Sequence, residues 1–176
     1  MKDQLSLGNH IGHLFCLDQP LYRIICTCLL ATVIAAWPAG AEEYRYHVGD
    51  ITRAQLFEAY PAFQSQYSRY EVGDVPSITV SEFHVQVLFA TWCHDSEREV
   101  PRLLKILETA GVESSAMELV ALDFNKSEPE GRAALQGLKY TPTFVFSVAG
   151  EEIGRVVERP DESLEAAIES ILGQVR

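Results

Sequence analysis

Cysteine is almost absent from the larger part of this 176-residue chain. Cys16, Cys26 and Cys28 lie near the N-terminus, and Cys93 is the single cysteine in everything that follows. The residues after Cys28 can therefore form no disulfide among themselves. An isolated cysteine is often a buried, unreactive core residue, so the sequence around Cys93 decides whether a chemical role is expected.

A hydrophobic run of membrane-spanning length is also missing. Residues 24–37 form an apolar stretch of about fourteen residues, whereas a membrane helix needs about 20. Ala39-Gly40-Ala41 follows with the small-x-small pattern that signal peptidase recognises. We expect residues 1–41 to be a signal peptide cleaved after Ala41, with an uncleaved membrane anchor or a buried helix as alternatives. A cleaved signal peptide places the protein in the periplasm or otherwise outside the cytoplasm, and an anchor holds it there at the membrane.

Positive charge is in short supply. The chain has 14 Lys and Arg against 25 Asp and Glu, which gives a formal net charge of −11. Such a surface repels phosphate groups, so we expect no nucleic-acid partner. We also expect no metal site, because Cys93 and His94 lie far in sequence from His47 and His84 and lack the spacing of metal-ligand pairs.

One stretch of the chain combines a buried strand with a reactive residue type. Residues 85–90 are apolar except for Gln86 and are mostly suited to a strand. Trp92-Cys93 follows, and the next residues change to helical spacing. Cys93 is therefore predicted at the N-terminus of a helix. Free N–H groups and the positive end of the helix dipole favour a thiolate at such a position.

The remaining pattern predicts alternating strands and helices. We expect helices at residues 52–59, 61–68, 95–110, 128–138 and 161–172, and strands at residues 78–81, 82–90, 117–124, 143–148 and 152–158. Residues 44–48 form either a short strand or an ordered lead-in. Asp161 is the expected N-cap of the last helix. This order predicts an α/β domain of three layers, α/β/α, with a mixed central sheet and an N-terminal helical extension.

The helical extension is rich in aromatic residues. Its apolar positions recur at roughly helical spacing: Leu56, Phe57, Tyr60, Phe63 and Tyr67. Such a stripe usually packs into a core. The alternative is a surface that binds a partner.

Three motifs together resemble the thioredoxin superfamily. Trp92-Cys93-x-x-Ser96 follows an apolar strand, Pro101 lies eight residues after the cysteine, and Thr141-Pro142-Thr143 precedes another strand. The resemblance covers roughly residues 78–172. It implies a thioredoxin-like domain at residues 77–176, preceded by the helical extension at residues 42–76. It also implies that a cis-proline loop faces Cys93, so that Trp92, Thr141 and Pro142 bind the substrate.

The chain departs from the superfamily pattern at two positions. Ser96 replaces the second cysteine, and Val87 replaces the buried acid that many thioredoxins carry. Cys93 can attack a disulfide sulfur, but Ser96 cannot resolve the resulting mixed disulfide. Ser96 could instead donate a hydrogen bond to the Cys93 thiolate. An external thiol, such as glutathione, is then needed as a co-substrate, and no other cofactor is expected.

The two residues between Cys93 and Ser96 act in opposite directions. Protonated His94 would favour the thiolate, unless it is a solvated surface histidine. Asp95 would disfavour the thiolate if its carboxylate pointed inward, and we expect it to face solvent or to cap the helix.

These observations predict a single-cysteine enzyme of thiol-disulfide exchange. Cys93, Ser96 and His94 are its candidate catalytic residues. Protein disulfides or glutathione mixed disulfides are its expected substrates, and a membrane is a partner only if the N-terminal segment stays uncleaved. The alternative is a non-catalytic binding or chaperone-like module that uses the cis-proline groove and the aromatic helices. Peroxide reduction through a Cys93 sulfenic acid is a third possibility, but the expected threonine and arginine arrangement is missing.

Overall fold

The structure is a computed structural model, and it describes residues 46–175. The predicted signal peptide or anchor at residues 1–41 lies outside these described residues. Between residues 46 and 175, no helix combines the length and apolar character needed to cross a membrane.

Five strands form one mixed sheet in the order β1-β3-β2-β4-β5. The strands are β1 Gly49–Asp50, β2 Phe83–Phe89, β3 Met117–Ala121, β4 Thr143–Val148 and β5 Glu151–Val157. Strands β2 and β3 are parallel, and the pairs β1·β3, β2·β4 and β4·β5 are antiparallel. Because β2 is the central strand, its C-terminal end lies midway across one end of the sheet.

Helices cover both faces of the sheet. They are α1 Arg53–Ala59, α2 Pro61–Arg69, α3 His94–Thr109, α4 Arg132–Leu135 and α5 Leu164–Leu172, with short 3-10 turns at Ser114–Ala116 and Gly173–Val175. Val85 and Phe89 of β2 belong to a large core shared with α1, α2, α3 and α5, whereas Leu88 faces a small core that includes Ala133 of α4. The predicted three-layer α/β/α arrangement is therefore confirmed.

The N-terminal helices are part of the main core. Thr52 caps α1 in a capping box with Gln55, and Pro61 occupies the first turn of α2, where its missing N–H is not needed. Leu56 and Phe63 are buried in the same cluster as the sheet residues. Phe63 meets Phe89 edge to face at 5.9 Å between ring centroids. The aromatic stripe thus packs into the core, which was one of the two alternatives.

Three sequence predictions about the elements are wrong. Residues 78–81 form no strand, because the chain makes a turn at Glu82, which has φ +56°, before β2 begins. Helix α4 has four residues instead of the predicted span 128–138. The Glu128 carboxylate accepts the Glu130 N–H, and left-handed Gly131 delays the helix start. Ser163, rather than Asp161, caps α5 by accepting the Ala166 N–H at 3.1 Å.

Candidate active site

Cys93 lies at the junction of β2 and α3, as its sequence position predicts. It is the N-cap of α3 in extended conformation, with φ −90° and ψ 124°. Its N–H donates to the Ala90 carbonyl at 3.0 Å, and its carbonyl accepts the first α-helical bond from Glu97 at 2.9 Å. The side chain is partly exposed. The thiol is therefore accessible at the end of a 16-residue helix dipole.

The thiol contacts the loop that precedes β4. The Cys93 Sγ donates to the Thr141 carbonyl oxygen at 3.3 Å, and the Thr141–Pro142 peptide bond is cis. Two of the predicted substrate-binding residues therefore lie beside the cysteine. Only the protonated thiol can make this hydrogen bond.

Ser96 is fully buried one turn into α3. Its Oγ accepts the Ala90 N–H at 3.2 Å, which ties the start of the helix to the end of β2. The expected hydrogen bond from Ser96 to the Cys93 sulfur stays a prediction. In the structure, the contact of Ser96 with Ala90 fixes the backbone turn that carries Cys93.

The two intervening residues have different surroundings. His94 is exposed on the first turn of α3. Asp95 neither points to open solvent nor caps the helix, because its Oδ1 lies 2.8 Å from Arg98 Nη2 and 3.6 Å from Arg159 Nε. The sequence analysis missed both arginines. The three-residue spacing from Asp95 to Arg98 was a usable signal, but Arg159 comes from the loop after β5.

Arg98 is held between two carboxylates. Its Nε lies 2.6 Å from Glu99 Oε1, and the Glu99 side chain is only 4% exposed. The hydrogen bond to Glu99 raises the pKa of Arg98, and the charges of Glu99 and Asp95 raise it further. Partial burial lowers the pKa but does not cancel this increase. Arg102 also reaches Glu99, at 3.3 Å. Helix α3 therefore carries a chain of ion pairs that starts two residues after Cys93.

An aromatic surface extends from Trp92, and we define it as Tyr46, Trp92 and Phe124. The Trp92 and Phe124 rings stack at 4.8 Å between centroids, and Tyr46 meets Phe124 edge to face at 4.7 Å. Phe124 remains 58% exposed, and Tyr140, next to Thr141, is 53% exposed. Sequence reasoning found Trp92 but missed the other two rings. They are distant in sequence and meet only because β1 lies beside β3.

Metal-ligating side chains and cavities are two further features of the described structure. Among residues 46–175, no three His, Cys, Asp or Glu side chains are arranged to hold a metal ion. A cavity of about 610 Å³ includes His84 at the start of β2 in its lining, at the opposite end of that strand from Cys93.

Comparisons with known proteins find similarity in structure. No protein-family model matches the chain. No curated protein matches it either. Mitochondrial thioredoxin 3 from Saccharomyces cerevisiae is 24% identical over 52% of this chain and 78% of its own, with a TM-score of 0.38. Fasciola hepatica thioredoxin is 23% identical over 54% of this chain and 83% of its own, with a TM-score of 0.39. Thioredoxin O2 from Arabidopsis thaliana is 15% identical over 66% and 88%, with a TM-score of 0.38.

The chain's own architecture carries the fold assignment. A five-stranded mixed sheet has the helix that follows its central strand beginning at Cys93, and the cis Thr141–Pro142 loop contacts that cysteine. These are the features that the sequence resemblance implied. The chain accordingly has a thioredoxin-like fold.

Proposed function

We propose that this protein performs thiol-disulfide exchange with Cys93 as its only nucleophile. The observation that carries the proposal is the position of Cys93. Its sulfur is accessible at the N-terminus of α3 and lies 3.3 Å from the Thr141 carbonyl oxygen. A buried serine stands in the position of a resolving cysteine. A thiolate at a helix N-terminus is the species that attacks disulfides.

The proposed reaction has two exchange steps. In the first, the Cys93 thiolate attacks one sulfur of a disulfide, for example a glutathione mixed disulfide on a protein. A bond forms between Cys93 and the attacked sulfur, the original disulfide bond breaks, and the second sulfur leaves as a thiolate. In the second, an external thiolate attacks the mixed disulfide and regenerates the Cys93 thiolate. With glutathione, the protein thiol is reduced and glutathione disulfide is the oxidised product.

Ser96 supports the need for that external thiol. Its hydroxyl is buried against the Ala90 N–H, and an alkoxide neither forms readily at neutral pH nor displaces sulfur. A substrate with a second cysteine can resolve the mixed disulfide itself, and the outcome is then isomerisation. The chemistry suits reduction of mixed disulfides or isomerisation better than net formation of disulfides.

The surroundings of Cys93 favour a polypeptide as the disulfide-bearing substrate. The Thr141 main chain lies beside the sulfur and can pair with an extended segment. Exposed Phe124 and Tyr140 flank this position with apolar area. We propose that Trp92, Thr141 and Pro142 bind the segment next to the disulfide, while glutathione or another small thiol serves as co-substrate.

We also propose that the protein acts outside the cytoplasm. Residues 24–41 support this through the short apolar run and the Ala39-Gly40-Ala41 pattern. In an oxidising compartment a retained single thiol needs a function. Determining the N-terminal residue of the protein isolated from periplasm and membrane fractions tests this proposal. A start at Glu42 indicates cleavage, an intact N-terminus in the membrane fraction indicates an anchor, and an intact protein in the cytoplasm contradicts export.

A binding module is the second candidate function. The exposed aromatic surface and Tyr140 support it, because such a surface can hold a partner without any turnover. Cys93 would then be a covalent tether or would take no part.

Turnover of a glutathionylated peptide distinguishes the two candidates. The full chain is compared with Cys93→Ser, which keeps the three N-terminal cysteines and so controls for their reactivity. The exchange proposal predicts glutathione-dependent release of the peptide thiol that is lost in Cys93→Ser. Equal rates in both proteins would contradict the proposal, and peptide binding without release would support the binding module.

A further inference from the structure

We propose that Arg159, together with Arg98, neutralises the Asp95 carboxylate and so protects the Cys93 thiolate from its charge. Arg159 is then a positioning residue that acts on the cysteine through Asp95. This inference rests on the proposed exchange function, because it concerns the reactivity of the same thiol.

The geometry around Asp95 is the first observation. Asp95 is the second residue of α3, two positions after Cys93, where an unpaired carboxylate would oppose the thiolate. Its Oδ1 instead receives two guanidinium groups from different elements, Arg98 on α3 and Arg159 on the loop after β5, at 2.8 and 3.6 Å. A single helix turn would supply only the first of these.

The balance of charges is the second observation. Arg98 and Arg102 both contact Glu99, and Arg98 also contacts Asp95. The charges of these two cations and two anions cancel. Arg159 is the third cation of the cluster, and Glu158, Asp161 and Glu162 line the adjoining clefts. Removing Arg159 therefore leaves Asp95 to share Arg98 with Glu99, beside these further acids.

The placement of Arg159 is the third observation. The neighbouring Glu158 N–H donates to the Pro142 carbonyl at 2.7 Å, and Thr141, whose carbonyl accepts the Cys93 thiol, directly precedes Pro142. The loop that carries Arg159 is thus anchored to the loop that contacts the cysteine. Arg159 itself is 63% exposed and lines a cleft of about 420 Å³ with Asp95.

The elements around Cys93 and Asp95 carry other charged or titratable groups. On α3 they are His94, which is exposed, and Glu97. On the loop after β5 they are Glu158 and Asp161, which line the same cleft. Tyr140 precedes the cis-proline loop. In the loop after β3, the Asp123 carboxylate accepts the Asn125 and Ser127 N–H groups within its own loop. Arg159 is the positive group that opposes the acids lining this cleft.

The rate of Cys93 alkylation by neutral iodoacetamide, measured against pH, tests the inference. Peptide mass spectrometry follows Cys93 alone in the full chain, so the N-terminal cysteines do not contribute. In Arg159→Gln we expect the midpoint of the profile to move to higher pH and the rate at neutral pH to fall about two- to fivefold. Arg159→Lys retains most of the wild-type rate, because it retains the charge.

The Asp95→Asn variant distinguishes action through Asp95 from direct action on the sulfur. In this variant, Arg159→Gln is expected to lower the alkylation rate by less than half as much as it does in the wild-type protein. An unchanged profile in Arg159→Gln, or an equal effect in both backgrounds, would overturn the inference while leaving exchange by Cys93 intact. A wild-type Cys93 that is not alkylated below the pH range of a free thiol would overturn both proposals.

Discussion

Two aromatic regions of the molecule differ in what their rings contact. The rings of α1 and α2 pack against the main core, and Phe63 is 1% exposed against Phe89. The rings beside Cys93 stack on one another at the surface, where Phe124 stays 58% exposed. The same residue types therefore pack into the core in one region and remain exposed in the other.

Polar contacts strengthen the difference. Tyr67 of α2 donates to Glu108 of α3, which also pairs with Arg53 of α1, and the hydrogen bond from Tyr67 lowers the pKa of the Glu108 carboxyl. Lys105 of α3 donates to the Tyr67 carbonyl at 3.1 Å. The helical extension is thus joined to α3 by side chains as well as by its core residues, and a partner-binding role for its aromatic stripe loses support.

The largest expected effect concerns the buried aromatic region. Phe63→Ala removes a ring from the core and leaves a cavity, so we expect a loss of about 3–5 kcal/mol in the free energy of unfolding. Phe124→Ala is the matched control and should cost less than about 1 kcal/mol, because the exposed ring leaves no cavity. Urea unfolding of both variants measures the contrast. Equal losses of unfolding free energy in the two variants would contradict the distinction between the two regions.

A smaller effect is expected where the chain after α2 meets α5. Glu165 accepts hydrogen bonds from the Tyr70 hydroxyl at 2.7 Å and the Gly73 N–H at 3.0 Å. Burial alone would raise the pKa of Glu165, but these hydrogen bonds outweigh it and hold the pKa below its ordinary value of 4.5. Glu165→Gln should cost about 1–2 kcal/mol at pH 7.

The pH dependence of that loss follows from the direction of the shift. A carboxyl whose pKa is lowered by folding stabilises the fold at pH values above its pKa in the unfolded state. This contribution is lost as the pH falls through its pKa in the folded state. The difference in the free energy of unfolding between wild type and Glu165→Gln should therefore become smaller below about pH 4.5. Denaturant unfolding at pH 7 and in the acid range tests this. A gap that widens on acidification would contradict the assigned hydrogen bonds.

The smallest expected effect concerns the exposed region and appears in substrate discrimination. In Phe124→Ala we expect kcat/KM for a disulfide within an unfolded polypeptide to fall about three- to tenfold, which corresponds to a modest loss of apolar contact. The rate at which glutathione disulfide forms a mixed disulfide with Cys93 in a single turnover should stay within about twofold, because a small substrate reaches Cys93 without the ring. Equal losses for both substrates would show that Phe124 supports the cysteine and not the polypeptide.

Local patterns in the sequence predicted the elements that carry the site. The apolar run before Trp92 and the helical spacing after Cys93 placed the cysteine correctly, because both signals lie within a few residues of the junction. The motif resemblance brought Thr141 and Pro142 to the same place. The helices of the extension were also found, since Thr52 and Pro61 are strong local start signals.

The errors and omissions have tertiary causes. The Asp95 pairing with Arg159 depends on the loop after β5 meeting the start of α3, which no sequence spacing encodes. The position of Phe124 between Trp92 and Tyr46 depends on sheet order. Whether the aromatic stripe was core or partner surface could not be decided from periodicity, because both alternatives have the same spacing.

Trapping of the mixed disulfide tests the central claim most directly. A variant with serine at Cys16, Cys26 and Cys28 leaves Cys93 as the sole thiol, and it is treated with a glutathionylated peptide and followed by intact mass and peptide mapping. We predict a mixed disulfide on Cys93 that persists until glutathione is added and then disappears with recovery of the free thiol. Failure of Cys93 to form the adduct would contradict exchange by a single nucleophile with an external resolving thiol. Loss of the purified adduct, after the released peptide thiol has been removed and before any thiol is added, would contradict it as well.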